Sequence, residues 1–343
     1  MATMGRTPRL QDVAETAGVS LATASRALAG RDGVRPDLAE RVRDVALTLG
    51  YVPNAHARAL AGAAQPMVGL IVHDVADPYF AEIAKGVLRV ADGHQLMVLI
   101  NQSERRPETE LTRIRSLRAH RVGSIVLAGS GYVDAAQEAD VAAELLAFRE
   151  AGGRVALVGR HNIPVDAVLP DNNAGGRTAA RHLLELGHRR IAVVAGPRNL
   201  STVADRLAGV TDEAHAWGLD VDDLVVEYDD FSRDGGVAAT ARVLEHARGS
   251  TAILALTDVM AIGALAVLRE AGRTVPGDMS VMGFDDVTVA ADLAPALTTI
   301  RLPLIEMGSR ALELTLRPPA ARPRRRRTGH ELVVRDSTGT PRA

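Results

Sequence analysis

The chain has 343 residues, a net charge of −2 and no cysteine, so disulfides, zinc–thiolate sites and cysteine nucleophiles are excluded and the length suggests two or three folded units. No apolar run approaches the roughly 18 residues of a membrane span, and the opening Met-Ala-Thr-Met-Gly-Arg-Thr-Pro lacks the apolar centre of a signal peptide, so a cytoplasmic location is expected. Residues 1–62 carry eight arginines against six carboxylates, which leaves −4 for the remainder; this basic lean is too slight to argue for phosphate contacts by itself.

From Leu10 to Leu28 the spacing predicts two short helices. Val13, Ala14 and Ala17 share one face of the first, and Gly18 follows where the chain needs a positive backbone angle. Val19 fills the corner, Ser20 is placed to cap the second helix, and Ala24 and Leu28 recur at the interval that faces a core. Leu21, Ala22, Ser25 and Arg26 are then left outward. Two such helices form a helix-turn-helix, whose second member lies in the DNA major groove and reads bases with its first residues. Short helical hairpins also occur in proteins that never touch DNA. A third helix starts at Pro36 and ends at Gly50, with Val42, Val45, Ala46 and Leu49 as its apolar stripe. Asn54 then caps a stretch of about two turns, Ala55 to Ala61, too short to persist in water without a partner.

Gln-Asp-Val-Ala-Glu-Thr-Ala-Gly-Val-Ser, Ala-Thr-Ala-Ser-Arg-Ala-Leu and Gly-Tyr-Val-Pro-Asn followed by Ala-Arg-Ala-Leu-Ala-Gly resemble the headpiece and hinge of the lactose repressor family of transcription factors. The resemblance implies DNA contacts from Ser20, Leu21, Ala22, Thr23, Ser25 and Arg26. It also implies a hinge helix carrying Asn54, Ala57 and Leu60, with Leu60 wedged into the minor groove beside its two-fold mate. Two departures stand out: Arg9 and Arg35 occupy positions where the family usually has Thr or Ser, so capping there falls to Thr7 or Asp37, and the two arginines reach phosphates or remain solvated surface.

From Met67 the pattern becomes alternating apolar runs and helical stretches. Strands are expected at Val68–Val72, Gln95–Ile100, Ser124–Ala128, Val155–Val158, Ala167–Leu169, Ile191–Ala195, Leu224–Tyr228, Ala252–Ala255 and Ser280–Phe284, interleaved with helices. Two doubly wound lobes follow, with a small-molecule cleft at their facing strand ends. Gly-Leu-Ile-Val-His-Asp-Val-Ala-Asp-Pro-Tyr-Phe-Ala-Glu, Leu-Gly-His-Arg-Arg-Ile-Ala, Thr-Asp-Val-Met-Ala-Ile-Gly and Met-Gly-Phe-Asp-Asp are similar to the family's effector domain, which is akin to periplasmic sugar-binding proteins. The resemblance implies three crossings between lobes, expected near Arg160–Pro164, Leu293–Ile300 and Pro318–Arg327. The expected fold is therefore an all-α helix-turn-helix headpiece (1–53) with a hinge helix and linker (54–66), then an α/β two-lobed effector and dimerisation domain of doubly wound parallel sheets (67–343). Lobe 1 takes about 67–160 and 301–318, and lobe 2 about 164–293 and 327–343.

A sugar or nucleobase needs planar groups to stack on and fixed polar groups for its hydroxyls. In a chain only 3% aromatic, Tyr79, Phe80 and Phe231 each follow an expected strand end and supply the first. Arg206, Asp258 and Asp285 fall at strand-to-helix junctions and supply the second. His73, Asp74, Arg160, Thr202 and Thr257 complete the candidate effector set. Plain structural roles stand beside these: Asp258 as a helix cap, Tyr79 and Phe80 as core, Asp286 as surface. His73 and Gly159 replace the family's frequent Pro and Asp, so the contacts differ from those of the lactose repressor itself.

Other chemistry fails on spacing. Gly129-Ser130-Gly131 suggests a dinucleotide fingerprint, but Asp134 holds its third glycine position. There is no phosphate loop, no metal-ligand cluster and no nucleophile elbow, so neither a metal, a cofactor nor an enzymatic activity is expected. The run Arg322–Arg327 reads as a solvated connection between lobes, with nonspecific DNA contact as the alternative. The expected function is a homodimeric repressor that binds a pseudo-palindromic operator in double-stranded DNA and answers to a small molecule, a carbohydrate by preference. The competing reading is a free-standing sugar-binding protein or sugar-processing enzyme.

Overall fold

The computed structural model describes residues 8–30, 32–51, 67–220, 223–247 and 249–342. It separates into two compact units, 1–66 and 67–343. The expected hinge contacts Asn54, Ala57 and Leu60, and the proposed cap Thr7, lie outside the described residues.

The first unit contains α1 (Leu10–Ala17), α2 (Leu21–Leu28) and α3 (Pro36–Thr48). Gly18 ends α1 in the left-handed region at φ +64°, and its amide and that of Val19 close the turn on Glu15 and Ala14. The three helices bury Val13, Ala14, Ala17, Ala24, Ala27, Ala39, Val42 and Ala46, while Leu28, Val45 and Leu49 pack half-buried around them. Small residues at the helix contacts let the axes approach closely, and they compensate for a core with no aromatic at its centre. The cap of α1 comes from Asp12, whose carboxylate accepts the Arg9 amide at 2.7 Å. No side chain caps α3; Pro36 opens it and Asp37 pairs with Arg35 at 3.2 Å.

The second unit has two six-stranded sheets. Sheet 1 contains β1 (Met67–Val72), β2 (Met97–Gln102), β3 (Ser124–Ala128), β4 (Arg154–Val158), β5 (Asp166–Leu169) and, far along the chain, β11 (Arg325–Arg327), in the order β11-β5-β4-β3-β1-β2. Every pairing in it is parallel. Between these strands run α4 (Pro78–Gly93), α5 (Pro107–Ala119) and α6 (Ala139–Glu150), the last preceded by a 3-10 turn at Ala135–Glu138. Sheet 2 contains β6 (Ile191–Ala195), β7 (Leu224–Tyr228), β8 (Ala252–Ala255), β9 (Ser280–Asp285), β10 (Thr298–Arg301) and β12 (Glu331–Val333), in the order β12-β10-β9-β8-β6-β7. Only β12 runs antiparallel, on β10. Its helices are α7 (Asn172–Glu185), α8 (Ser201–Ala216), α9 (Arg233–His246) and α10 (Asp258–Glu270), and α11 (Leu304–Leu316) returns to pack on α4. Ile-Ala-Val-Val-Ala in β6 is wholly buried, and Val68 to Val72 of β1 are buried likewise, as parallel strands covered on both faces require.

The three crossings fall later in the chain than expected. Val158 is followed by β5, which pairs with β4, so the chain leaves sheet 1 after Leu169 and not between Arg160 and Pro164. β10 belongs to sheet 2, which moves the second crossing to Leu302–Pro303; β11 belongs to sheet 1, which moves the third to 328–330. Lobe 1 is thus 67–169 with 304–327, and lobe 2 is 172–301 with 331–342. The reason is physical: Ala167–Leu169 reads as a strand, but its sheet is set by pairing with β4, while β10 and β11 are short, polar strands stabilised by their neighbours and not by an apolar run of their own.

Candidate effector cleft and DNA-reading helix

In the headpiece the Ser20 hydroxyl accepts the Thr23 amide at 3.1 Å and caps α2, as its position predicts. Leu21, Ala22 and Arg26 are exposed, and Thr23 and Ser25 are half-buried. Leu21, at 53% exposure, is a large apolar side chain presented to solvent on the first turn of the helix.

The cleft is built at the C-terminal ends of strands from both lobes. His73 follows β1, Arg105 follows β2, and Gly129 and Ser130 follow β3; from lobe 2 come Thr202, Arg206, Phe231, Thr257 and Asp285, with Asp77, Tyr79 and Phe80 at the start of α4. This is the location the doubly wound topology favours, where strand order reverses and loops part. The enclosed space is about 40 Å³. So narrow a space describes closed lobes, which part to load a ligand the size of a sugar ring.

Arg206 organises the floor. Its side chain is buried, yet Nε donates to Asn172 Oδ1 at 2.9 Å, Nη2 donates to Asp285 Oδ1 at 2.7 Å, and Nη1 donates to the Leu256 carbonyl. The guanidinium also lies 3.7 Å from the centre of the Phe284 ring. Asp285 ends β9 at φ +116°, in a region side chains seldom occupy. Burial pushes its carboxyl up to about 8, against the opposing pull of Arg206. Burial likewise raises the pKa of Asp77, whose Oδ1 accepts the Tyr79 amide at 3.0 Å and caps α4.

The walls are aromatic. Tyr79 and Phe80 meet edge to face with centroids 4.9 Å apart, and His73 lies 5.5 Å from Phe80. Burial lowers the His73 pKa and keeps the ring neutral. Two glycines make room: a Cβ at Gly129 would come within 2.4 Å of His73, and one at Gly196 within 2.3 Å of Phe231. Arg105, itself at φ +56°, projects from lobe 1 to within 5.8 Å of the Phe231 ring centre, with Nη2 3.6 Å from Asp77. Its Nε is buried without a hydrogen-bond partner.

Of the candidates read from sequence, the structure brings together His73, Tyr79, Phe80, Thr202, Arg206, Phe231, Thr257 and Asp285. Three lie elsewhere. Asp74 turns back to accept the Ala76 amide at 2.9 Å. Arg160 forms a forked pair with Asp205 at 2.8 and 2.9 Å, tying lobe 1 to α8. Asp258 is sealed behind the cleft, accepting from the Val287 amide at 2.8 Å and the Thr299 hydroxyl at 2.6 Å, with burial raising its pKa to about 6. Asp286 is no surface residue either: its carboxylate clamps Arg301 and Arg335, each at 2.7 Å. Asp77, Arg105, Gly129 and Ser130 were not anticipated. Arg105 and Ser130 carry a readable signal, since each follows an expected strand end, and Gly129 of the failed dinucleotide fingerprint is cleft lining.

A helix-turn-helix unit joined to a two-lobed ligand cleft defines a ligand-responsive DNA-binding regulator, not an enzyme. Residues 9–54 match the model of bacterial regulatory proteins of the lacI family, and 180–338 match a periplasmic binding protein-like domain. The chain is 34% identical over 337 residues to the HTH-type transcriptional regulator GalR of Escherichia coli K12, covering 97% of this chain and 96% of that protein. It is 36% identical over 312 residues to the regulator CelR of Thermobifida fusca, covering 88% and 89%. A CelR–cellobiose complex superposes with a TM-score of 0.71 at 32% identity, over 96% of this chain and 99% of that one. A lac repressor dimer bound to operator and the anti-inducer ONPF superposes with a TM-score of 0.83 at 26% identity, over 97% and 100%. The chain belongs to the LacI family of transcriptional regulators.

Proposed function

We propose that this chain is a cytoplasmic homodimeric repressor whose operator affinity is set by a carbohydrate held between its lobes. The observation that carries the reading is the Arg206–Asp285 pair. A buried guanidinium and the buried carboxyl it hydrogen-bonds stand at the floor of a cleft walled by Phe231 from one lobe and Tyr79 and Phe80 from the other, which suits hydroxyl pairs on an apolar ring face. Thr202, Thr257, Asp77 and Arg105 add donors and acceptors from both lobes, so a ligand gains its full set of contacts only when the cleft closes. Such differential affinity is the condition for moving a conformational equilibrium.

For operator binding, Ser20, Leu21, Ala22, Thr23, Ser25 and Arg26 supply the base and backbone contacts of α2, and Asn54, Ala57 and Leu60 those of the hinge. A single recognition helix spans too few base pairs for specificity, which favours two copies on a pseudo-palindrome. In lobe 1, Leu88 of α4, Ile100 of β2 and Val75 are exposed around a groove of about 590 Å³ that also carries Lys85 and Arg89; this apolar edge is the face assigned to the partner copy. The test is a calorimetric screen of galactose, cellobiose and other mono- and disaccharides, with nucleosides as the outgroup, followed by operator titration with each binder. A saccharide that binds and changes operator affinity supports the reading; binding by nucleosides alone overturns the effector class.

A further inference from the structure

The arginine run after α11 has no part in the cleft. Sheet 1 ends at β11, whose residues Arg325–Arg327 are all exposed and pair on one side only, with β5. The Ala167 amide donates to the Arg324 carbonyl and the Thr328 amide to that of Leu169, so by the parallel alternation the peptide groups of Arg325 and Arg327 face outward. Arg324 is neutralised by Asp166 at 3.0 Å. Among the described residues, Arg317, Arg322, Arg325, Arg326 and Arg327 have no carboxylate within ion-pair distance. Arg326 and Arg317 also line a depression of about 280 Å³ with Arg310, where the acid is Glu313.

One or two charges suffice to keep an edge strand from pairing with another chain. Five unpaired guanidiniums within eleven residues exceed that need, and they stand on a unit that is net acidic. We propose that this edge of lobe 1 is a second nucleic-acid contact, one that grips the phosphate backbone of duplex DNA without regard to sequence. An acidic protein strand is the weaker fit, because the edge turns outward the peptide groups of only two residues of a three-residue strand, too few for strand addition to hold. Arg325 and Arg327 share a face about 6.6 Å apart at the usual strand rise, so both guanidiniums can lie along one phosphate backbone. Guanidinium forks match phosphate oxygens.

The experiment titrates the full-length chain with a random-sequence DNA duplex over a range of salt, comparing wild type with the triple variant Arg325→Gln, Arg326→Gln, Arg327→Gln and with the matching triple lysine variant. Each phosphate contact contributes about 0.9 to the slope of log affinity against log salt. The glutamine variant should therefore show a slope shallower by about 2 to 3 and at least about tenfold weaker binding at low salt. The lysine variant, which keeps the charge, should retain the wild-type slope. An unchanged slope in the glutamine variant overturns the proposal, as does an equal loss in the lysine variant. Poly-glutamate binding that exceeds duplex binding and disappears in the glutamine variant overturns it in favour of an acidic protein partner.

Discussion

Asp285 and Asp258 both hold their protons more tightly when folded than when unfolded, because burial outweighs the groups that favour their anions. For an acid with a raised folded pKa, stability is full below the unfolded value and declines as pH rises toward the folded one. Lobe 2 is therefore expected to lose stability from these two groups between about pH 4 and pH 8, with the Asp258 share complete near pH 6. In Asp258→Asn the amide oxygen can still accept the Val287 amide while its NH2 donates to the Thr299 hydroxyl. Its melting temperature relative to wild type should rise from pH 4 to pH 6 and then level, a shift worth at most about 3 kcal/mol; parallel melting curves across that range would show that Asp258 does not titrate there. Asp285→Asn addresses the ligand instead. It keeps one acceptor for Arg206 but removes the ionisable carboxyl, and a hydrogen bond to a charged group such as the guanidinium is worth about 1.5 to 3 kcal/mol. Effector affinity should fall about 10- to 100-fold while ligand-free operator binding stays near wild type, both read by titration.

Helices of the second unit meet through glycines that face each other's backbones. A Cβ on Gly86 of α4 would lie 2.0 Å from the Ile305 carbonyl of α11, and one on Gly308 of α11 would lie 2.0 Å from that of Ile83; Gly176 and Gly209 repeat the arrangement between α7 and α8. Backbone cannot retreat as a side chain can, so Gly86→Ala should destabilise the domain by about 1 to 3 kcal/mol despite alanine's better helix propensity. Gly93→Ala, whose Cβ meets nothing within 4 Å, should be neutral or stabilising by up to about 1 kcal/mol. Denaturant unfolding of the two variants decides the comparison, and equal effects would remove the close-packing argument.

Legibility in the sequence followed the same divide between pattern and contact. β1, β3, β6, β7 and β8 announce themselves as apolar runs, and the expected strands fall within two residues of those observed. β10 reads Thr-Thr-Ile-Arg and is nonetheless buried, because the Thr299 hydroxyl finds Asp258 and the Thr298 amide finds Ser337. β11 has no apolar residue at all. In the cleft, the aromatics, Arg206 and Asp285 were legible from their strand-end positions. Which carboxylate of the loop after β1 faces inward, Asp77 and not Asp74, depends on the capping of α4, and the reach of Arg105 depends on a positive φ that no spacing encodes.

At the scale of the molecule, the two lobes are joined by more than their crossings. α8 has no cap of its own. Its first amides are satisfied from lobe 1: Ser201 donates to the Gly131 carbonyl and Thr202 to the Ser130 hydroxyl, both at 2.9 Å, and an isolated bridge pairs Tyr132 with Leu200. Closed lobes thus complete a helix that open lobes leave unfinished. Ser130→Ala removes one capping acceptor, worth about 1 kcal/mol, so an effector that needs the closed cleft should bind about fivefold more weakly. Calorimetry on the variant checks this, and an unchanged affinity would mean that the cap survives opening.

The interleaving of the lobes also bears on how the chain is made. The headpiece is a local structure whose three helices lie within forty residues of one another, so it can fold as soon as it leaves the ribosome. Lobe 1 begins next but cannot finish: α11 and β11, which close its helix layer and its sheet edge, arrive only with residues 304–327, after nearly all of lobe 2 has been synthesised. Throughout that interval the nascent polypeptide has a reader of DNA but no sensor to govern it, and synthesis halted before residue 304 would leave that state permanent.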